Sequence, residues 1–204
     1  MAEQATYHIS GFEYPCKSKM TYKAMVIGGS AGSFRVITRL LEVLPAAIQM
    51  PVFICLHRLK QVRTGFEETL AKISPLPLTE PYDKENIMGG NLYLAPANYH
   101  MLIENDQMIA LSIDDPIQYS RPSIDFCFAS AAEVYQEGLL AVLLSGANQD
   151  GTEGIAAVKR QGGYAVVQDP ADCEIATMCE SAIKLTIPDQ ILTIPEMIEF
   201  VSLL

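Results

Sequence analysis

The chain has 204 residues, of which 50% are hydrophobic and 19% charged, and 14 Lys and Arg against 24 Asp and Glu give a net charge of −10. This balance excludes a disordered chain, a collagen-like chain and a coiled coil. The net acidity argues against a nucleic-acid partner, because binding to a phosphate backbone depends on Lys and Arg releasing counterions.

Residues 1–20 are polar and follow no helical or strand period, so we predict an N-terminal tail followed by one domain over residues 21–204. Met20 directly precedes the first apolar segment and offers an alternative start of the chain. The tail has no cationic start followed by an apolar stretch, so we expect no export signal. We expect no catalytic group in it.

Beyond residue 20, short apolar runs alternate with amphipathic segments, which is typical of a doubly wound, mainly parallel α/β sheet with helices on both faces. We predict strands at residues 24–27, 51–56, 91–95, 100–104, 108–113, 139–144 and 164–167. We predict helices at residues 33–44, 123–137 and 152–161. A further helix is opened by a capping box of Thr64 and Glu67 and runs toward Ile73, and a last helix starts at Pro195. The turn at residues 105–106 makes a small antiparallel hairpin.

Apolar runs and cysteines limit where the chain can reside. The longest clean apolar run, residues 139–144, has six residues, whereas a membrane span needs about 20. The five cysteines are scattered without the Cys and His spacing of a zinc site. We therefore expect a cytoplasmic protein with reduced thiols, no metal and no membrane insertion.

The first candidate for chemistry is Ser30, because ligands of an open parallel sheet bind beyond the carboxyl ends of its strands. Ser30 lies in the turn at residues 28–32, which fits the G-x-S-x-G pattern of a serine held exposed between a strand and a helix. Free N–H groups at the start of that helix could hold an oxyanion. In the alternative interpretation, Ser30 only caps the helix.

Two further turns supply the partners that a serine nucleophile needs. His57 follows the second strand, which normally lies beside the first, so His57 is within reach of the Ser30 proton. Asp150 lies in the turn after the most apolar strand, where it could orient His57 or simply cap the next helix. The convergence of three turns at one edge of the sheet favours a Ser30–His57–Asp150 triad.

Two other sites fit less well. His100 with Asp83 upstream would satisfy the α/β-hydrolase order of Ser, acid and His, but His100 begins a hairpin strand away from the parallel-strand ends. A dinucleotide site is disfavoured because no frame of the turn at residues 28–32 matches G-x-G-x-x-G, and the P-loop lysine is absent.

Several blocks, in their order along residues 22–204, resemble the catalytic domain of CheB-type chemotaxis methylesterases. They are the turn at residues 28–32, the His57 turn, Leu92-Tyr93-Leu94-Ala95-Pro96 with Tyr99-His100, Ser120-Arg121-Pro122-Ser123-Ile124-Asp125, residues 143–151 and Val167-Gln168-Asp169-Pro170. The resemblance implies a protein-glutamate methylesterase that hydrolyses glutamate methyl esters on the cytoplasmic helices of methylated chemoreceptors to glutamate and methanol, often with deamidation of receptor glutamines. It implies no cofactor, and it implies Ser30 as nucleophile, His57 as general base and Asp150 as the orienting acid.

The sequence also departs from the family pattern. Ala31, Gly32 and Ser33 stand where the family often has Thr-Gly-Gly, and Ala147 with Asn148 stands where Met-Gly is common. These changes bear on the oxyanion and substrate contacts that we assign to Ala31, Gly32, Ala147 and Asn148. Regulated members carry an N-terminal receiver domain, for which residues 1–19 leave no room, so we expect constitutive activity or control by a separate protein or by the methylation system itself.

The residues that recognise the substrate are harder to identify from the sequence. Arg58, Lys60 and Arg63 follow His57 and could steer a Glu-rich receptor helix, or they could be a solvated face. Arg121 could line the same cleft or pin a loop. A different class of function is a catalytically silent receptor-binding scaffold, although such a protein has no physical need for all three triad residues. A monomer is our default expectation.

Overall fold

The computed structural model describes residues 7–9, 12–14, 21–58 and 66–204, with side chains from residue 21 onward except at Phe66. The strands are β1 Tyr7–Ile9, β2 Phe12–Tyr14, β3 Ala24–Gly29, β4 Val52–Leu56, β5 Leu78–Thr79, β6 Glu85–Asn86, β7 Leu92–Leu94, β8 His100–Ile103, β9 Met108–Ser112, β10 Leu139–Leu143, β11 Tyr164–Gln168 and β12 Gln190–Leu192. The helices are α1 Phe34–Val43, α2 Phe66–Ile73, α3 Ile124–Tyr135, α4 Thr152–Arg160, α5 Thr177–Leu185 and α6 Ile194–Ser202. Within the predicted tail, β1 and β2 form a separate antiparallel pair.

Seven strands form the main sheet in the order β12-β11-β10-β3-β4-β7-β5, and every neighbouring pair is parallel. All residues of the central strands β3, β4 and β10 are buried. A parallel strand covered on both faces must be apolar along its whole length, which is why these strands read as continuous apolar runs in the sequence. The predicted parallel sheet is confirmed.

Helices cover both faces of the sheet. Buried residues of α3, α4 and α5 form one core with alternate residues of β3 such as Val26, and residues of α1, α2 and α6 form a second core with Met25 and Ile27. The doubly wound α/β class is therefore confirmed. None of the helices in residues 21–58 and 66–204 is both long and apolar enough to cross a membrane.

A small antiparallel sheet lies apart from the main sheet. It has the strand order β6-β9-β8, and its hairpin pairs His100 with Ser112 and Ile103 with Ile109. Glu104 and Gln107 close the connecting turn through a backbone hydrogen bond of 3.1 Å. The predicted hairpin is confirmed, and the two-residue strand β6 adds an edge that the sequence did not suggest.

The other differences from the predicted elements lie in short or weakly patterned segments. Helix α5 and the edge strands β5 and β12 were not predicted, and α3 ends at Tyr135 before a single 3-10 turn over Gln136–Gly138. The last helix begins at Ile194, one residue before the predicted Pro195, because Thr193 and Glu196 form a capping box there. The predicted box with Thr64 lies outside the described residues.

Candidate active site

Three turns at the carboxyl ends of adjacent strands form the candidate site. Ser30 follows β3, His57 follows β4, and residues 145–151 follow β10. The strand order puts β3 between β10 and β4, so these turns lie side by side at one edge of the sheet. This is the edge at which open parallel sheets bind their ligands.

The structure brings His57 and Asp150 into direct contact. His57 Nε2 lies 2.7 Å from Asp150 Oδ2, and 10% of the His57 side chain is exposed whereas Asp150 is completely buried. The two residues are 93 positions apart in the chain. A buried carboxylate against one ring nitrogen fixes the orientation of an imidazole and leaves the other nitrogen for chemistry.

The N-terminus of α3 holds the Asp150 carboxylate. Ser123 Oγ donates to Oδ1 at 2.9 Å, the Ile124 N–H donates to Oδ2 at 2.7 Å, and the Asp125 N–H donates to Oδ1 at 3.0 Å. Burial alone would raise the pKa of Asp150, but the hydrogen bond from His57 and these backbone N–H groups outweigh it and lower the pKa. Asp150 is therefore a carboxylate anion, and His57 Nε2 donates to it.

The alternative interpretation of Asp150 as the cap of the next helix is wrong. Gly151, with φ +100°, occupies the N-cap position of α4. Two N–H groups at the start of α4 donate instead to Asp125 Oδ1, that of Gly151 at 2.8 Å and that of Gly154 at 2.7 Å. Asp125, in the first turn of α3, thus accepts from the start of α4, and Asp150, which comes just before α4, accepts from the start of α3. Burial and the nearby charge of Asp150 raise the pKa of Asp125 to about 6.

Ser30 lies beside His57 but is not hydrogen-bonded to it. The β3–β4 register pairs Gly29 with Leu56, and the His57 N–H donates to the Gly29 carbonyl at 3.2 Å, so Ser30 and His57 are the next residues in register. The Ser30 N–H donates to Ser145 O at 2.9 Å. Within the described part of the chain, the Ser30 hydroxyl makes no hydrogen bond. The interpretation of Ser30 as a mere helix cap is wrong, because Ser33 occupies the N-cap position of α1.

Glycines allow this close approach of strand and helix. A Cβ on Gly28 would lie 2.5 Å from Cγ2 of Ile124 and 2.8 Å from the Phe128 ring. Gly32 adopts φ +83°, a conformation that side chains with a Cβ rarely adopt. Gly28 therefore lets the start of α3, which holds Asp150, lie directly against the Ser30 turn.

The other predicted site residues near the Ser30 turn differ in how exposed they are. Ala31 and Ala147 are exposed, and Gly32 and Asn148 are half-buried around the Ser30 turn. Neither the Ala31 N–H nor the Gly32 N–H donates to another described residue, so both are available to a bound oxyanion.

The two arginines contact protein groups. Arg58 is 6% exposed, pairs with Glu80 and donates to the Ala95 carbonyl at 3.0 Å. Arg121 donates to the Ile113 carbonyl at 2.6 Å, to the Asp114 carbonyl at 2.9 Å and to Asn98 Oδ1 at 2.9 Å. These contacts favour loop pinning for Arg121 and a structural role for Arg58. Lys60 and Arg63 of the predicted cationic cluster lie outside the described residues.

Sequence reasoning missed Ser120, which contacts the second ring nitrogen of His57. Ser120 Oγ lies 3.1 Å from His57 Nδ1, and Asn148 Nδ2 lies 3.4 Å from the same oxygen. Ser120 belongs to a block quoted for the family resemblance, but its 63-residue separation from His57 gave no signal of contact.

The competing histidine has a structural role. His100 is completely buried, its Nδ1 accepts from the Ser123 N–H at 3.1 Å, and its Nε2 lies 3.2 Å from the Asp115 carbonyl. Asp83 accepts instead from the Leu111 N–H. Residues 21–58 and 66–204 contain no group of three or more His, Cys, Asp or Glu side chains placed to bind a metal ion.

Known proteins resemble this chain over nearly all of the described domain. A family model described as CheB methylesterase matches residues 25–201. A Leptospira interrogans protein, provisionally named protein-glutamate methylesterase/protein-glutamine glutaminase, is 41% identical over 180 residues, covering 88% of this chain and 93% of that protein. A Trichodesmium erythraeum protein of the same name is 33% identical over 178 residues, covering 86% of this chain and 51% of that protein, so the chain spans about half its length. The crystal structure of the Thermotoga maritima CheB methylesterase catalytic domain is 29% identical with a TM-score of 0.83, covering 89% of this chain and 97% of that one.

Proposed function

This chain belongs to the CheB methylesterase family of hydrolases, and we propose that it hydrolyses glutamate methyl esters on chemoreceptor cytoplasmic helices to glutamate and methanol through Ser30, His57 and Asp150. The observation that carries the proposal is the His57–Asp150 pair at 2.7 Å, one strand away from a serine whose hydroxyl makes no hydrogen bond to another described residue. The names of the relatives support the same chemistry.

In the proposed reaction, Ser30 Oγ attacks the ester carbonyl while His57 Nδ1 takes its proton. The tetrahedral intermediate collapses as the imidazolium protonates the departing methoxide, which releases methanol and leaves an acyl-enzyme. Water then attacks the acyl carbonyl, again with His57 as base, and the glutamate product leaves as Ser30 regains its proton. Asp150 stabilises the imidazolium without taking its proton.

The negative charge that develops on the carbonyl oxygen needs donors that are already in place. The N–H groups of Ala31 and Gly32 lie in the Ser30 turn just before α1 and donate to no other described residue. Donors of this kind usually provide a large share of acyl-transfer catalysis, because they need no reorganisation during the reaction. We therefore assign the oxyanion to this turn.

Deamidation of receptor glutamines is a second activity that the same site could carry out. It follows the same steps with ammonia in place of methanol as the leaving group, and the relatives' names include protein-glutamine glutaminase. The proposal places both reactions in the cytoplasm, on the receptor helices, with the enzyme acting as a monomer. The alternative, a silent receptor-binding scaffold, would not need the buried His57–Asp150 pair.

The test is methanol release from a methylated receptor cytoplasmic fragment, with the full chain and the Ser30→Ala variant compared. Loss of a triad nucleophile should lower kcat by at least about 10³-fold. Ser181→Ala, which removes an exposed hydroxyl bonded to the Thr177 carbonyl within α5, is the matched control and should act like the wild type. Receptor binding without methanol release by the wild type would favour the scaffold, and an active Ser30→Ala variant would exclude Ser30 as the nucleophile.

A further inference from the structure

The ring nitrogen of His57 that does not face Asp150 is in contact with Ser120, a serine that is not the proposed nucleophile. Asp150 takes Nε2 at 2.7 Å, and Ser120 Oγ lies 3.1 Å from Nδ1. Two hydroxyls, those of Ser30 and Ser120, therefore compete for the one nitrogen that the proposed reaction uses as a base. What Ser120 does there depends on the direction of its hydrogen bond.

The direction of that bond follows from the charge of Asp150. An anionic Asp150 accepts only, so the ring proton of the neutral imidazole is on Nε2 and Nδ1 carries a lone pair. Ser120 must then donate its hydroxyl proton to Nδ1. The contact thus stabilises the tautomer in which Nδ1 can act as a base.

The amide of Asn148 supports the same direction. Its Oδ1 accepts from the Asp150 N–H at 3.2 Å, and its Nδ2 donates to the Gln118 carbonyl at 3.1 Å. These two partners fix which end of the amide faces Ser120, so Nδ2 donates toward Ser120 Oγ at 3.4 Å. The Ser120 oxygen accepts from Asn148, and its proton is left for His57. One network thus joins the Asn148 amide, Ser120, His57 and Asp150.

The backbone around Ser120 is held in an unusual conformation. Ile117 and Ser120 exchange two backbone hydrogen bonds, of 3.1 and 2.8 Å, across a tight turn whose central residues Gln118 and Tyr119 have φ +47° and φ +63°. Left-handed conformations at two successive non-glycine residues cost free energy and persist only where surrounding contacts enforce them. On the other side of Ser120, the Arg121 guanidinium donates to the carbonyls of Ile113 and Asp114. The loop therefore presents the Ser120 hydroxyl at a fixed point.

We propose that Ser120 is a positioning residue of the proposed esterase reaction, whose hydroxyl holds the His57 ring and its tautomer ready and yields Nδ1 to Ser30 when the ester binds. The inference rests on the proposed function. Without Ser120 the His57 ring and its tautomer are no longer held in place, so a smaller fraction of the enzyme–ester complex is ready to react, which lowers kcat and leaves KM unchanged. A single neutral hydrogen bond corresponds to a loss of about tenfold.

The first part of the test is kinetic and uses methanol release by the full chain. Ser120→Ala should lower kcat about tenfold at unchanged KM, and Ser120→Thr, which keeps the hydroxyl, should recover most of the rate. Ser112→Ala is the matched control, since Ser112 lies just before the same loop and, among the described residues, its hydroxyl bonds only to Asp114, so it should act like the wild type. Unchanged kcat in Ser120→Ala, or a loss of rate that Ser120→Thr does not recover, would overturn the proposal.

The second part of the test needs no substrate. The chain has three histidines, so ¹⁵N-histidine labelling gives three imidazoles, and a His57→Gln variant assigns the signal of His57. At about pH 8.5, where an ordinary imidazole is neutral, the wild type should show His57 with its proton on Nε2 and a hydrogen-bonded Nδ1. Ser120→Ala should move the Nδ1 signal and Ser112→Ala should not; an unmoved signal would refute the positioning role. A protein that releases no methanol would refute the proposed function, while this spectrum would still decide whether Ser120 holds the ring.

Discussion

Replacing Asp150 with asparagine keeps the shape of the side chain but turns one of its two acceptor oxygens into a donor. Both oxygens are occupied: Oδ2 accepts from His57 at 2.7 Å and from Ile124 at 2.7 Å, and Oδ1 accepts from Ser123 and from the Asp125 N–H at 3.0 Å. Whichever way the new amide is oriented, its NH₂ group faces a backbone N–H at the start of α3. The Asp150 side chain is completely buried, so water cannot replace the lost partner.

The magnitude follows from those contacts. Leaving a buried donor unpaired costs about 1–3 kcal/mol, and the loss of charge-assisted bonds adds to this, so we expect a decrease of about 3 kcal/mol in the free energy of unfolding. The asparagine would also favour the wrong tautomer of His57. In serine hydrolase triads, this change lowers kcat about 10⁴-fold.

The neighbouring carboxylate provides a matched control. In Asp125, a single oxygen accepts both N–H groups, from Gly151 and Gly154, and the amide oxygen of an asparagine could keep both bonds. Asp125→Asn should therefore retain stability to within about 1 kcal/mol. Urea unfolding and methanol release measure the two effects. Equal stability of the two variants, or methanol release by Asp150→Asn within about tenfold of the wild type, would refute this account of Asp150.

Three further predictions concern titration, thiol reactivity and packing. Because the pKa of Asp125 is raised from 3.8 to about 6, the stability that its protonation contributes is fully present below pH 3.8 and is lost as pH rises through 6. Urea unfolding should show this loss in the wild type and not in Asp125→Asn, and parallel pH profiles of the two proteins would contradict it. The contact with the Cys179 thiol lowers the pKa of the half-buried Cys173 thiol, so iodoacetamide should label Cys173 before the buried Cys179. Peptide mapping measures the order, and the reverse order would count against this pairing. Gly28→Ala should lower the free energy of unfolding by about 1–3 kcal/mol, because the new methyl group meets Ile124; urea unfolding measures this, and an unchanged midpoint would show that α3 can move away.

The elements that the sequence predicts well are those with a local cause. The central strands β3, β4 and β10 are buried on both faces, so their apolar runs are continuous and easily recognised. By contrast, α5 is anchored by Met178, Cys179 and Ala182, a short and irregular set, and β5 and β12 are edge strands of two and three residues. Their pairing, rather than their own pattern, makes them strands.

The candidate site divides in the same way. The sequence by itself determined that Ser30, His57 and Asp150 follow apolar strands, and the rule that ligands bind at the carboxyl ends of such strands brought them to one edge. Only the tertiary structure decided that Asp150 binds the start of α3, that Asp125 binds the start of α4, and that Ser120 holds the second nitrogen of His57. Periodicity and turn chemistry act between neighbours in the chain, whereas these contacts join residues 25 to 63 positions apart and depend on how the packed helices and loops are placed.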